Sequence, residues 1–344
     1  MSTIKDISKK AGVSISTVSL VLNNKGYVKP ETYQRVLSVM HELNYKPSRS
    51  ARKLATRKNG NIGFIIWESH FYEVEMFYSQ VFLGMEYAAR KSDSYILLTT
   101  VKDQFDPKTD LPRFLQYGDV DGVALAGRVP HELVYYLEKE RIPFVLIDYS
   151  IPGKKYNSVQ IDNYNGAYSA VQHLVELGRK RIGFVGGTFF HSSIKERYRG
   201  YKDCIETNKV MTADDISKYT YVEDTETSPA IGEKGISSLL KNDAKLDAVF
   251  CCNDPTAMGV IKEIQRRQLK IPEDIAVVGF DDIPNSSYST PRLTTVHVPK
   301  LALGKEAFNL LNKVIEHPLE PPQTRVIATT LVKRESTGIK ETVE

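Results

Sequence analysis

The segment Ile4-Lys5-Asp6-Ile7-Ser8-Lys9-Lys10-Ala11-Gly12-Val13-Ser14-Ile15-Ser16-Thr17-Val18-Ser19-Leu20-Val21-Leu22-Asn23 reads as two short helices broken by one turn. Ile4, Ile7 and Ala11 recur at helical spacing, Gly12 interrupts them, and Ser14 restarts the pattern with Val18, Val21 and Leu22 on one face. Glycine takes the left-handed backbone that a sharp inter-helix turn requires. A serine hydroxyl at Ser14 can satisfy an amide of the following first turn. The other, amino-terminal face of the second helix carries only Ile15, Ser16, Thr17 and Ser19, so its end can approach base edges in a major groove. By spacing alone an ordinary pair of antiparallel helices fits equally well.

Charge separates the two readings. Residues 1–60 hold twelve Lys or Arg against three acids, a balance of +9 in a chain whose net charge is +4, which leaves −5 for residues 61–344. A basic head on a mildly acidic body is the footprint of a phosphate-binding module. Pro30 opens a third helix with Val36, Val39, Met40 and Leu43 on one stripe, enough to enclose a small core with Tyr45 covering one end. The head is therefore assigned to residues 1–46. The basic segment 47–60 that follows has one large apolar residue in its helix-forming part, Leu54, and is too short and incomplete to be a helix by itself.

From Asn61 the pattern becomes short buried strands alternating with amphipathic helices. Strand-like runs are 62–66, 95–98, 122–126, 144–147 and 158–161, then 181–185, 248–252 and 275–280; helices are expected over 80–90, 164–177, 196–207, 256–267 and 301–315. Continuous apolar strands between helices imply parallel sheets covered on both faces. Two such series suggest two lobes with a crevice at the carboxyl ends of their strands. Residues just past those ends are the binding candidates: Asp148 and Tyr149, Asn253 and Asp254, Asp281 and Asp282, with Arg197 near a helix start after Gly186-Gly187. Asp254, before Pro255, fits a helix start equally well. Carboxylates, an arginine fork and aromatic faces around one crevice suit a small polyhydroxylated ligand.

At 344 residues the chain suggests two or three units, and its 41% hydrophobic and 26% charged content is ordinary for a globular protein. No apolar run is long enough for a membrane helix, and the first residues lack the core of a secretory signal, so the cytoplasm is the expected compartment. Cys204, Cys251 and Cys252 are too few for a disulfide framework and read as buried thiols; no metal or cofactor is expected.

The run Thr3-Ile4-Lys5-Asp6-Ile7, Ala11-Gly12-Val13-Ser14, Thr17-Val18-Ser19 and Asn23, with Leu43-Asn44-Tyr45-Lys46-Pro47-Ser48, Ala51-Arg52 and Leu54, resembles the LacI/GalR family of bacterial transcriptional repressors. The resemblance continues to about Glu335. It implies a helix-turn-helix head, a hinge helix over 47–60 and a two-lobed periplasmic-binding-protein-like effector and dimerisation body over 61–344, whose chain crosses between lobes three times. Crossings near Asp162, Pro291 and Pro322 would give an N-lobe of 61–161 and 292–322 and a C-lobe of 162–291 and 323–340.

The resemblance further implies a homodimer on palindromic double-stranded operator DNA, controlled by a small ligand and without membrane association. The residues implied to face DNA are Thr3, Ser14, Ile15, Ser16, Thr17, Ser19, Leu20, Asn23, Tyr45, Arg49, Ser50, Arg52, Lys53 and Leu54. Leu54 would wedge into a central base step while Arg52 and Lys53 neutralise phosphates. Leu20 stands where many relatives carry Arg; it cannot donate a hydrogen bond, so an altered half-site is expected. The implied effector set is Phe77, Tyr78, Asp148, Tyr149, His191, Ser193, Arg197, Asn253 and Asp281. His191 occupies the place of an Arg in the purine-responsive member, which favours a sugar.

The sequence argues against two other function classes. A nucleotide-dependent enzyme lacks its signature: Trp67-Glu68-Ser69-His70 after the first strand has no glycine, and Gly183 to Gly187 lacks dinucleotide-binding spacing. A periplasmic sugar receptor conflicts with the +9 head.

Overall fold

The computed structural model describes residues 2–22, 26–45, 58–68, 76–242 and 245–338. The chain divides into two compact units, Met1–Asn59 and Gly60–Glu344.

The first unit contains α1 (Ile4–Ala11), α2 (Ile15–Leu22) and α3 (Pro30–Glu42). Thr3 caps α1 through a reciprocal box with Asp6, which satisfies amides that the first turn leaves unpaired. Gly12 ends the helix in the left-handed region, φ 63°. Ser14 Oγ accepts the Thr17 amide at 3.0 Å, so α2 starts one residue after the turn. Ile7, Ala11, Val18, Val21, Val36 and Val39 form the buried core, and Tyr45 packs against its edge. Asn23, Arg49, Ser50, Arg52, Lys53 and Leu54 lie outside the described residues.

The second unit runs β1 (Asn61–Trp67), α4 (Met76–Lys91), β2 (Tyr95–Val101), α5 (Arg113–Gln116), β3 (Gly122–Ala126), α6 (His131–Lys139), β4 (Phe144–Ile147) and β5 (Ser158–Ile161). It continues through α7 (Asn163–Glu176), β6 (Ile182–Gly186), α8 (Ser192–Thr207), α9 (Ala213–Lys218), β7 (Thr220–Val222), α10 (Pro229–Asn242), β8 (Ala248–Cys251), α11 (Asp254–Arg266) and β9 (Ala276–Asp281). The last elements are β10 (Thr294–His297), α12 (Lys300–Glu316), β11 (Thr324–Ile327) and β12 (Thr330–Val332). One sheet has the order β11-β5-β4-β3-β1-β2 and the other β12-β10-β9-β8-β6-β7. Pairing is parallel throughout, except that β12 runs antiparallel to β10. The central strands β3, β4, β6, β8 and β9 are buried along their whole length, as parallel strands covered on both faces must be.

The chain leaves the first sheet after β5 and enters the second lobe at α7. The remaining crossings fall later than Pro291 and Pro322. β10 still pairs with β9 in the second sheet, so the return comes at Val298–Pro299, before α12 packs on α4. β11 pairs with β5 in the first sheet, so the last crossing lies between Ile327 and Thr330. Residues 294–297 therefore belong to the second lobe and 324–327 to the first. These strands are short and Thr-rich and lack the apolar run that marks a core strand. Among the described residues no helix is long and apolar enough to cross a membrane.

Candidate functional site: an interlobe crevice and a DNA-reading helix

The carboxyl ends of both sheets meet at a crevice that, with the solvent at its mouth, holds about 450 Å³. The first lobe contributes Phe77 and Tyr78 from the start of α4 and Asp148 from the turn after β4; the second contributes His191, Ser193, Ile194, Arg197, Glu226, Thr227, Asn253 and Asp281. The rings of Phe77 and Tyr78 meet edge to face, 5.0 Å apart.

Arg197, on the buried face of α8, organises the floor. Its Nε donates to Asn163 Oδ1 at 2.8 Å and its Nη1 to the Cys252 carbonyl at 2.7 Å, while Nη2 lies 3.0 Å from Asp281 Oδ1. The guanidinium also lies over the Phe280 ring, 3.7 Å from its centroid. Two of its N–H groups are thus hydrogen-bonded within the protein, and the guanidinium is ion-paired with Asp281. Asn253 caps α11 by accepting the Thr256 amide at 3.1 Å and donates to Thr227 Oγ1 at 2.7 Å.

Asp148 takes a left-handed backbone, φ 52°, and is buried with its Oδ1 lacking any hydrogen-bond partner. Burial pushes its pKa up to about 6, against a smaller lowering by Arg197. A hydroxyl donor from a ligand would satisfy that atom.

Eight of the nine residues expected at the effector site line this crevice; Tyr149 does not. Consecutive side chains diverge at the Asp148 turn, so Tyr149 points away, packs in the outer core of the first lobe and meets His131 Nε2 at 2.8 Å. Asp254 and Asp282 likewise do not line the crevice. Asp254 accepts from Ser286 Oγ, Thr295 Oγ1 and the Ile283 amide at 2.6, 2.5 and 2.9 Å. Burial, reinforced by Asp281, raises its pKa to about 7. Asp282 pairs with Arg334 at 2.8 Å and with His297 at 2.9 Å, which makes His297 a satisfied structural histidine. The cysteines are buried free thiols.

Glu226 and Thr227 were missed because β7, which delivers them, is only three residues long. Ile194 and the supporting Asn163 carry no signal beyond their position at helix starts. Among the described residues no group of three His, Cys, Asp or Glu is placed to hold a metal ion.

In the head, Ile15, Ser16 and Leu20 are exposed on α2, with Thr17 and Ser19 partly so. Thr17 Oγ1 is engaged by Ser14 Oγ at 2.9 Å. Leu20 lies against the loop after α2, its Cδ2 only 3.3 Å from the position a Cβ on Gly26 would take. Thr3 faces solvent beside Asp6, and Tyr45 is half-buried on the helical core.

Residues 3–48 match the family described as bacterial regulatory proteins, lacI family, and residues 171–337 match the periplasmic binding protein-like domain. The chain is 33% identical over 325 residues to the HTH-type transcriptional repressor PurR of Haemophilus influenzae (strain PittEE), covering 94% of each chain. It is 31% identical over 339 residues to the ribose operon repressor of Haemophilus influenzae (strain ATCC 51907 / DSM 11121 / KW20 / Rd), covering 98% of each. It also resembles the crystal structure of the lac repressor dimer bound to operator and the anti-inducer ONPF, with TM-score 0.79 and 25% identity over 98% of this chain and 99% of that one. A helix-turn-helix head, two parallel-sheet lobes around a polar crevice, and this degree of identity along almost the whole chain lead to one conclusion: the protein belongs to the LacI family of bacterial regulatory proteins and is a DNA-binding transcriptional repressor with a small-molecule effector domain, not an enzyme.

Proposed function

We propose that this repressor acts in the cytoplasm as a homodimer on a two-fold symmetric operator, and that its effector is a sugar or sugar-derived polyol bound in the interlobe crevice. The observation that carries the effector class is Asp148 Oδ1, buried in the crevice wall without a partner. Around it stand Asp281, the side-chain amide of Asn253 and the guanidinium of Arg197, polar groups that suit the hydroxyls of one small ring. Among the described lining residues the Phe77 and Tyr78 rings come from the first lobe, while the second lobe presents His191, Ser193, Ile194, Arg197, Glu226, Thr227, Asn253 and Asp281. One aromatic face opposite a mainly polar wall suits the C–H face and the hydroxyls of a pyranose or furanose.

The relatives include a repressor named PurR and a ribose operon repressor, so the discriminating experiment is calorimetric titration of the full-length protein with a pentose, hexose and disaccharide panel beside purine bases. A sugar should bind, and Asp148→Asn should lose most of that binding. Purine binding with no response to any sugar would overturn the polyol reading. On the DNA side, Ile15, Ser16 and Leu20 at the exposed face of α2 support a half-site without the arginine–guanine contact.

A further inference from the structure

The rim of the crevice is built from charges that its floor does not use. Arg128, just after β3 in the first lobe, places Nη1 3.6 Å from Glu226 Oε1 in the second lobe and Nη2 3.7 Å from Asp103 Oδ1. Its guanidinium stands 5.4 Å from the Trp67 ring and 6.0 Å from that of Phe190. Glu226 Oε2 is in turn 2.7 Å from His191 Nε2. Glu226 is therefore held from two sides with its carboxylate in the crevice wall.

Among the described residues three carboxylates, Asp148, Glu226 and Asp281, face this space, against one arginine and one imidazole. Arg197 is paired with Asp281, and His191 with Glu226. Arg128 stands at the mouth, shared between Asp103 and Glu226. Lys300, the next cation, lies behind the wall with its Nζ on the carbonyls of Asp281, Asp282 and Val298. The interior already resists its own negative charge, since burial raises Asp148 to about 6. A phosphate or carboxylate entering here would lose its hydration beside like charges, and among the described residues Arg128, His191, Arg197 and Lys300 are already engaged.

We propose that Glu226, held in place by Arg128 and His191, makes the crevice select uncharged effectors and reject their phosphorylated or carboxylate-bearing counterparts. This rests on the crevice being the effector site, and it holds whether the effector is a sugar or a base.

The chain's single tryptophan, Trp67, lies beside Arg128, so its emission reports on the rim. Full-length protein is titrated with matched sets: ribose and ribose 5-phosphate; glucose, glucose 6-phosphate and gluconate; hypoxanthine and inosine monophosphate. Trp67 emission and calorimetry are read together. At least one uncharged member should bind, with its anionic counterpart weaker by about tenfold or more, a gap on the order of 1.4 kcal/mol. Glu226→Gln keeps a hydrogen-bonding partner for His191 and should narrow the gap, whereas Arg128→Gln should widen it. An anionic member that binds as well as its uncharged parent, or no response to any uncharged member, would overturn the proposal, as would an unchanged gap in Glu226→Gln. Hypoxanthine binding without sugar binding would end the polyol reading and leave charge selection standing. Preference for ribose 5-phosphate over ribose would do the reverse.

Discussion

Arg197 Nη2 lies 3.0 Å from Asp281 Oδ1, so the helix after β6 and the end of β9 are joined by a buried ion pair at the crevice floor. Asp281 has φ 109°, a backbone region that L residues rarely adopt, and the pair helps hold it there. Arg197→Ala would leave a buried carboxylate without its principal cation. The expected loss of body stability is about 3–5 kcal/mol. Arg197→Lys keeps the charge but cannot reproduce separate donors to Asn163, Cys252 and Asp281. It should fold with a reduced melting temperature and lose most effector affinity, which thermal melts and titration would show together.

Asp148 should show opposite effects on stability and binding. In the unfolded chain its carboxyl titrates near 3.8, in the fold at about 6. Between those values the folded state holds a proton that the unfolded state has released, so the contribution to stability is full below the lower value and lost as pH rises through the upper one. A shift of this size is worth roughly 3 kcal/mol. Asp148→Asn removes the penalty, and the ligand-free body should melt about 2–6 °C higher at pH 7.5 and show little gain at pH 4. Effector binding should fall at the same time. Melts of both proteins across that pH range check the sign.

The head could be read almost residue by residue because its signals are local: Gly12 must leave the right-handed region, Ser14 must cap, and Val18 and Val21 must face Ile7. The crevice residues could be read where they directly follow a recognisable buried strand, as Asp148, Asn253 and Asp281 do. Glu226 could not, since β7 is three half-buried residues with no apolar run. Arg128 could not either, because its role depends on Glu226 meeting it from the other lobe. Tyr149 was misplaced for a different reason: adjacency in sequence at a left-handed turn sends two neighbouring side chains to opposite sides. The late crossings follow from β10, β11 and β12, whose threonines and arginine give them the composition of loops.

Lys300 predicts a positioning effect without ligand contact. Its Nζ is buried on the carbonyls of Asp281, Asp282 and Val298, where the chain turns back to the first lobe. Burial lowers its pKa, so the fold disfavours the charged form, and this group's contribution to stability is smallest while it is charged and rises as pH climbs through the folded value. Lys300→Met should leave three carbonyls short of a donor and cost about 2–4 kcal/mol, with effector affinity reduced through Asp281. Lys300→Arg should recover part of the affinity; an affinity unchanged in Lys300→Met would show that Asp281 needs no such support.

Gly12 tests the head in isolation from the crevice. A Cβ there would meet nothing within 4 Å, so the cost of Gly12→Ala is that of the φ 63° backbone alone. That is about 1–2 kcal/mol. Amide exchange in α1 and α2 should quicken and operator affinity fall, with effector binding unchanged.

Leu20 carries the prediction about sequence. It is exposed on α2 and braced by the chain at Gly26, so its methyl groups are presented rather than buried. A leucine can offer only apolar contact, and the base edge that rewards this is the thymine methyl. Selection from random DNA should return a two-fold site in which the position under Leu20 is thymine or undefined, and Leu20→Arg should convert it to guanine. Such a conversion is worth about 1–3 kcal/mol per half-site. If the unaltered protein itself selects guanine at that position, another residue reads it, and Ser16 and Ser19 on the same exposed turns become the side chains to vary.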